Sequence, residues 1–151
     1  WGWIMAKRFR WRLETVLMSK HRAEEQRQQD LARAVSLLNT EQAERIRVLD
    51  LQMQCRQDLK QFQTGRLNVT DLAQINTYLE ALDQQCQGVE LRIKDAQSAV
   101  DEVRETLAQA VRERQVLENL KDQDYRAFQK AERKRDQAMM DELAARRKWY
   151  G

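Results

Sequence analysis

The chain of 151 residues has no proline, four glycines, one histidine and two cysteines. Proline is the residue that removes a helix hydrogen bond and clashes with the preceding turn, so its absence leaves long helices uninterrupted. Cys55 and Cys86 are too few for a disulfide scaffold and lack metal-ligand spacing; they read as buried thiols of a cytosolic protein. His21 stands between Lys20 and Arg22 and reads as a solvated surface residue, neither base nor ligand. No window approaches the ~18 consecutive apolar residues of a membrane span, and the expectation is a soluble chain. The opening WGWIMAKRFR places its basic residues after the bulky apolar ones and lacks a small-residue cleavage site, unlike a secretory signal. Met5 reads as the natural start and Trp1 to Ile4 as an upstream extension.

Catalytic patterns are missing too. There is no glycine-rich phosphate loop, no serine or cysteine nucleophile beside a base, and no acid pair suited to a concave site. The expectation is a protein that is not an enzyme, with no cofactor and no metal.

What is present is pattern. With 34% charged residues the chain lacks the apolar content of a large globular core, so periodicity has to specify the fold. From Leu72 the apolar residues alternate strictly by three and four: Leu72, Ile75, Leu79, Leu82, Cys86, Val89, Ile93, Ala96, Val100, Val103, Leu107, Ala110, then Arg114 as the one exception, then Leu117. An average period of 3.5 residues is the seam of a left-handed coiled coil. Strong helix formers continue through Leu120, Tyr125, Phe128, Met139 and Leu143, giving a second helix over about 69–147, on the order of 115 Å long.

The first half predicts a helix over about 12–63, roughly 75 to 80 Å long, with a less regular stripe. Leu13 and Leu17 open it, Lys20, Glu24 and Arg27 take the next seam positions, and Leu31, Val35, Leu38, Ile46, Leu49 and Met53 follow at a spacing nearer eleven than seven. In TGRLNVTD, residues 64–71, Gly65 suits a helix C-terminus, and Asn68 with Asp71 resembles an N-cap and its acidic partner. With the turn at 64–68, a short connection makes the helices antiparallel neighbours, so residues 5–148 form one hairpin. The expected fold class is all-α, a long two-helix antiparallel coiled-coil hairpin. Facing residues then sum to about 133, which sets Cys55 opposite Tyr78 and Leu51 opposite Leu82, and separates Cys55 from Cys86 by roughly 13 Å, too far for a disulfide.

Charge is uneven along this hairpin. Residues 1–12 carry Lys7, Arg8, Arg10 and Arg12 with no acid, and residues 126–151 carry eight basic residues against four acidic ones. Both basic segments are expected at one end. Phe9 and Trp11 among those cations could stack on bases or meet a membrane surface, although the acids Glu132, Asp136, Asp141 and Glu142 argue against nucleic acid. Tyr78, Leu91, Val116 and Leu120 fall outside the seam of the second helix and read as docking points for other proteins, as does an amphipathic overhang around Met139 and Met140.

FRWRLETVL (Phe9 to Leu17), Arg56 to Leu59, GRLNVTDL at the turn, INTYLEAL (Ile75 to Leu82) and MDELAARR (Met140 to Arg147) occur in an order that resembles the FliJ family, the central stalk of the flagellar type III export ATPase. The resemblance covers about residues 5–148; the extension Trp1 to Ile4 and the WYG ending lie outside it. It implies a fold similar to the coiled coil of the rotary ATPase gamma subunit. It also implies insertion into a hexameric export ATPase, promotion of its assembly, linkage to a membrane export gate, and binding of export chaperones. Carried onto this chain, the gate surface comprises Val48, Leu51, Cys55, Tyr78 and Leu82, with Leu51 and Cys55 standing where bulkier rings can occur. The ATPase-ring surface comprises Arg8, Arg10, Arg12, Leu13, Leu17, Met140, Leu143, Arg146 and Arg147. The implied location is the cytoplasm, peripheral to the inner membrane at the flagellar base, with no nucleic acid partner and no direct membrane insertion. The equivalent stalk of a virulence secretion system and a generic coiled-coil adaptor or nucleic-acid-binding rod are the alternatives.

Overall fold

The computed structural model describes residues 8–63 and 68–150. Trp1 to Ile4, Lys7 and the turn residue Gly65 lie outside the described residues. The fold class is all-α. Helix α1 spans Glu14–Gln63 and helix α2 spans Val69–Tyr150, and no strand occurs among the described residues. α1 therefore starts two residues later than the sequence indicates and α2 runs three residues further. Asn68 caps α2: its side-chain Oδ1 accepts from the Thr70 backbone N–H at 3.4 Å, and its carbonyl accepts the first helical bond, from Leu72 N, at 3.1 Å. Asp71 in the first turn and Arg147 with Lys148 in the last complement the helix dipole.

The chain divides into two compact units. One is Gln26–Leu107, in which α1 and α2 run antiparallel. Glu41 pairs with Arg92 at 2.9 Å, Arg45 with Glu90 at 4.0 Å, and Gln52 donates to Asp83 at 2.6 Å, so partners sum to 133 or 135. Between the helices lie two apolar clusters. Val48, Cys55, Leu82 and Val89 form one, with Leu51, Ile75, Leu79, Cys86 and Ile93 against it. Leu38, Ala96 and Val100 form the other, with Leu31, Ala34 and Val35. Both cysteines are free thiols.

The α2 seam from Leu72 to Leu117 is buried or half-buried at every position, Arg114 included. The α1 seam differs from its sequence reading. Ile46, Leu49 and Met53 are 61%, 41% and 60% exposed, and Arg27 is exposed and paired with Asp30 at 3.4 Å. The stripe facing α2 instead passes through Leu38, Glu41, Val48, Gln52 and Cys55, keeping heptad phase by accepting polar residues. Gln52 is tolerated at 6% exposure because Asp83 accepts a hydrogen bond from its side-chain amide.

The other unit comprises Trp1–Glu25 with Ala108–Gly151. Here the segment before α1 packs on α2: the Phe9 ring meets Tyr125 and Phe128, each with centroids 5.3 Å apart, and Trp11 Nε1 donates to Asp124 at 2.8 Å. Trp11 and Leu17 are buried. This packing covers part of α2 beyond the reach of α1. Residues 133–150, by contrast, are exposed throughout. Leu120, read from the sequence as a surface residue, is half-buried.

Leu82→Ala removes a side chain that is 2% exposed from the centre of its cluster and is expected to cost about 3 kcal/mol in urea denaturation. Met53→Ala, on the outer face, is expected to stay within about 0.5 kcal/mol of wild type.

Candidate protein-binding surfaces

The five residues assigned to gate binding lie in the Gln26–Leu107 unit, but not all reach its surface. Val48 is fully buried, Leu82 is 2% exposed and Cys55 8%. All three belong to the apolar cluster that holds the helices together, and of them Cys55 also lines an open groove. Tyr78 is 47% exposed and Leu51 half-buried; with Cys55, Gln54, Asp58, Asp71, Gln74 and Ile75 they line a groove of about 510 Å³. The groove has an apolar floor and a rim of two carboxylates and two amides, so an apolar anchor carrying a cation would satisfy it. Exposed apolar residues that the sequence reading placed in the seam, Ile46, Leu49 and Met53, form a second surface on α1. The missed signal was phase. Only the 3–4 alternation through Val48 and Cys55 agrees with the α2 seam, and it leaves the other stripe outside.

The residues assigned to ATPase binding all belong to the other unit. Leu17 is buried at 5% and Leu13 half-buried, so both support the helix pair. Arg8, Arg10, Arg12, Met140, Leu143, Arg146 and Arg147 are exposed, and Met140, Leu143 and Arg147 line one open groove with Asp141, Ala144 and Lys148. Arg146 is paired with Glu142 at 3.2 Å. Arg8, Arg10, Arg12, Lys130, Arg133, Lys134, Arg147 and Lys148 make no ion pair with a described residue, so their charge is available to an external partner. Phe9 and Trp11 are consumed by packing on α2 and do not present faces for base stacking.

Arg114, the one break in the α2 seam, meets the polar stretch of α1. It bonds Glu24 across the pair and Glu118, at 2.7 Å, one turn on, while Lys20 reaches Glu113 at 3.0 Å and His21 lies 3.5 Å from Glu118. The hydrogen bonds that Arg114 donates to Glu118 and Glu24 raise its pKa above the ordinary value, and the bond that Lys20 donates, with help from Gln109, lowers that of Glu113. Lys20 and Glu24, which look like errors in an apolar stripe, are the counterions of Glu113 and Arg114 respectively.

Among the described residues no group of three His, Cys, Asp or Glu side chains is placed to hold a metal, and no helix is long and apolar enough to cross a membrane. The geometry defines a class: a helical coiled-coil protein whose surfaces are open grooves and exposed side chains. The chain matches the family described as flagellar FliJ protein over residues 9–150. It belongs to the FliJ family, a component of the flagellar export apparatus. Comparison with curated proteins gave no match, and comparison with solved structures gave none.

Arg114→Leu is expected to lower the urea midpoint, because Glu24 and Glu118 lose their shared cation; Glu24→Leu added to it is expected to recover part of that loss. The Glu113 carboxyl has a folded pKa below its ordinary 4.5, so its stabilisation is present above pH 4.5 and is lost as pH falls through the lower folded value. The urea midpoint of Glu113→Gln is expected to lack that component of the acid dependence. The effect is modest, since the two side chains are 38% and 43% exposed and salt screens them.

Proposed function

We propose that this chain is the non-enzymatic stalk of the flagellar export ATPase, docking its basic segment in the central opening of the hexamer and promoting its assembly and activity. The groove at Leu51, Cys55 and Tyr78 engages the membrane export gate, and the remaining exposed apolar surface serves export chaperones. The working location is the cytoplasm, against the inner membrane at the flagellar base. One observation carries the reading: residues 133–150 are exposed along their whole length and retain unpaired cations. A helix extension that buries nothing at home contributes little to its own fold. Its exposed Met139, Met140 and Leu143 give apolar area for a partner to cover, and its unpaired cations would steer encounter with a partner of opposite charge.

Stimulation of ATP hydrolysis by the cognate ATPase measures this directly. Charge reversal of Arg10, Arg146 and Arg147 together is expected to raise the half-stimulating concentration at least about tenfold, equivalent to 1.4 kcal/mol. Thermal stability is expected to hold, since all three side chains are exposed. Unchanged stimulation would remove the basic segment from the ring contact. Tyr78→Ala is expected to weaken gate binding and leave stimulation intact.

A further inference from the structure

With Phe9 and Trp11 packed on α2, the most exposed aromatic residues described are Trp149, at 88%, and Tyr150, at 91%. They close a stretch, residues 133–150, with a net charge of +3. Arg135 is paired with Glu132 and Arg146 with Glu142, whereas Arg133, Lys134, Arg147 and Lys148 make no ion pair with a described residue. Met139, Leu143 and Tyr150 stand at i, i+4 and i+11, within about 40° of one another at 100° per residue. All three are exposed, Met139 at 59% and Leu143 at 57%.

We propose that this stretch is also a reversible membrane-surface anchor that lies on an anionic lipid bilayer. The bilayer matches each part of it. Lipid phosphates meet the unpaired cations, the headgroup layer suits Trp149 and Tyr150, and the outer acyl region covers Met139 and Leu143. The arginine and lysine stems reach outward to the phosphates while the helix lies flat. Six basic residues in 18 keep it at the interface and prevent a crossing. Nucleic acid fits less well, because the exposed Met139, Leu143 and Met140 side chains would gain nothing against its phosphate backbone. A second copy of the chain would bring like charge against like. The lipid contact stands on these side chains alone. Its consequence for regulation rests on the function proposed above: the bilayer and the ATPase opening compete for the same residues, so a chain held at the membrane is unavailable to the ring until released.

The test is sedimentation of the full chain with vesicles of phosphatidylcholine alone, or with one phosphatidylglycerol in three lipids, without ATPase. Binding is expected to be at least about tenfold tighter on the anionic vesicles and to fall steeply with salt. Arg147→Glu with Lys148→Glu is expected to abolish it, and Trp149→Ser with Tyr150→Ser to weaken it several-fold at the same salt. Equal affinity for both vesicles, no affinity for either, wild-type binding by the charge-reversed variant, or equal retention on duplex DNA would each overturn the anchor. Stimulation of the ATPase in lipid-free buffer is read separately. If vesicle binding fails and stimulation stands, the anchor alone falls; if stimulation fails and vesicle binding stands, the stalk reading alone falls.

Discussion

The α2 seam cannot bury itself. A helix with an apolar residue at alternating steps of three and four presents one continuous stripe, and water contact along that stripe is what pairing with α1 removes. The pattern of α1 is arranged around supplying the opposite stripe. In the Gln26–Leu107 unit, Leu38, Val48 and Cys55 supply it directly. Elsewhere α1 supplies charge where α2 also breaks pattern, and Glu24 with Lys20 meets Arg114 with Glu113. Apolar residues at those positions would bind more tightly but would also accept other alignments. Matched charges favour one register at some cost in stability.

The strict alternation made α2 legible residue by residue, because an error of one step would have moved the stripe off the partner. On α1 the same reasoning failed at Ile46, Leu49 and Met53. There the apolar identity of three residues outweighed the phase, and phase decides. The true seam contains Glu41 and Gln52, whose burial makes sense only once Arg92 and Asp83 stand opposite. The packing of Phe9 and Trp11 is not legible in the sequence for a related reason: Trp11 is bonded to a residue 113 positions away, and no local pattern announces such a contact.

The candidate surfaces divide along the same line. Burial separates side chains that hold the helices together, Val48, Leu82 and Leu17, from neighbours free to meet a partner, Tyr78, Met140 and Leu143. A motif match transfers both kinds together, since family patterns record packing as well as contact. Solvent exposure then sorts them. The two sets also differ in chemistry: an apolar groove with an acidic rim around Tyr78, and unpaired cations beside methionine and leucine in residues 133–150.

Hydrogen exchange of the chain, alone and with the flagellar export ATPase proposed as its partner, tests whether residues 133–150 are held in reserve for binding. Alone, amides of 133–150 are expected to exchange far faster than those of the α2 seam between Leu79 and Val100, which have a packed helix over them. On adding ATPase, protection is expected to rise across 133–150 and leave Leu79 to Val100 unchanged. Protection that rises only between Leu79 and Val100, with 133–150 exchanging as before, would place the ATPase contact on the paired helices and not on 133–150.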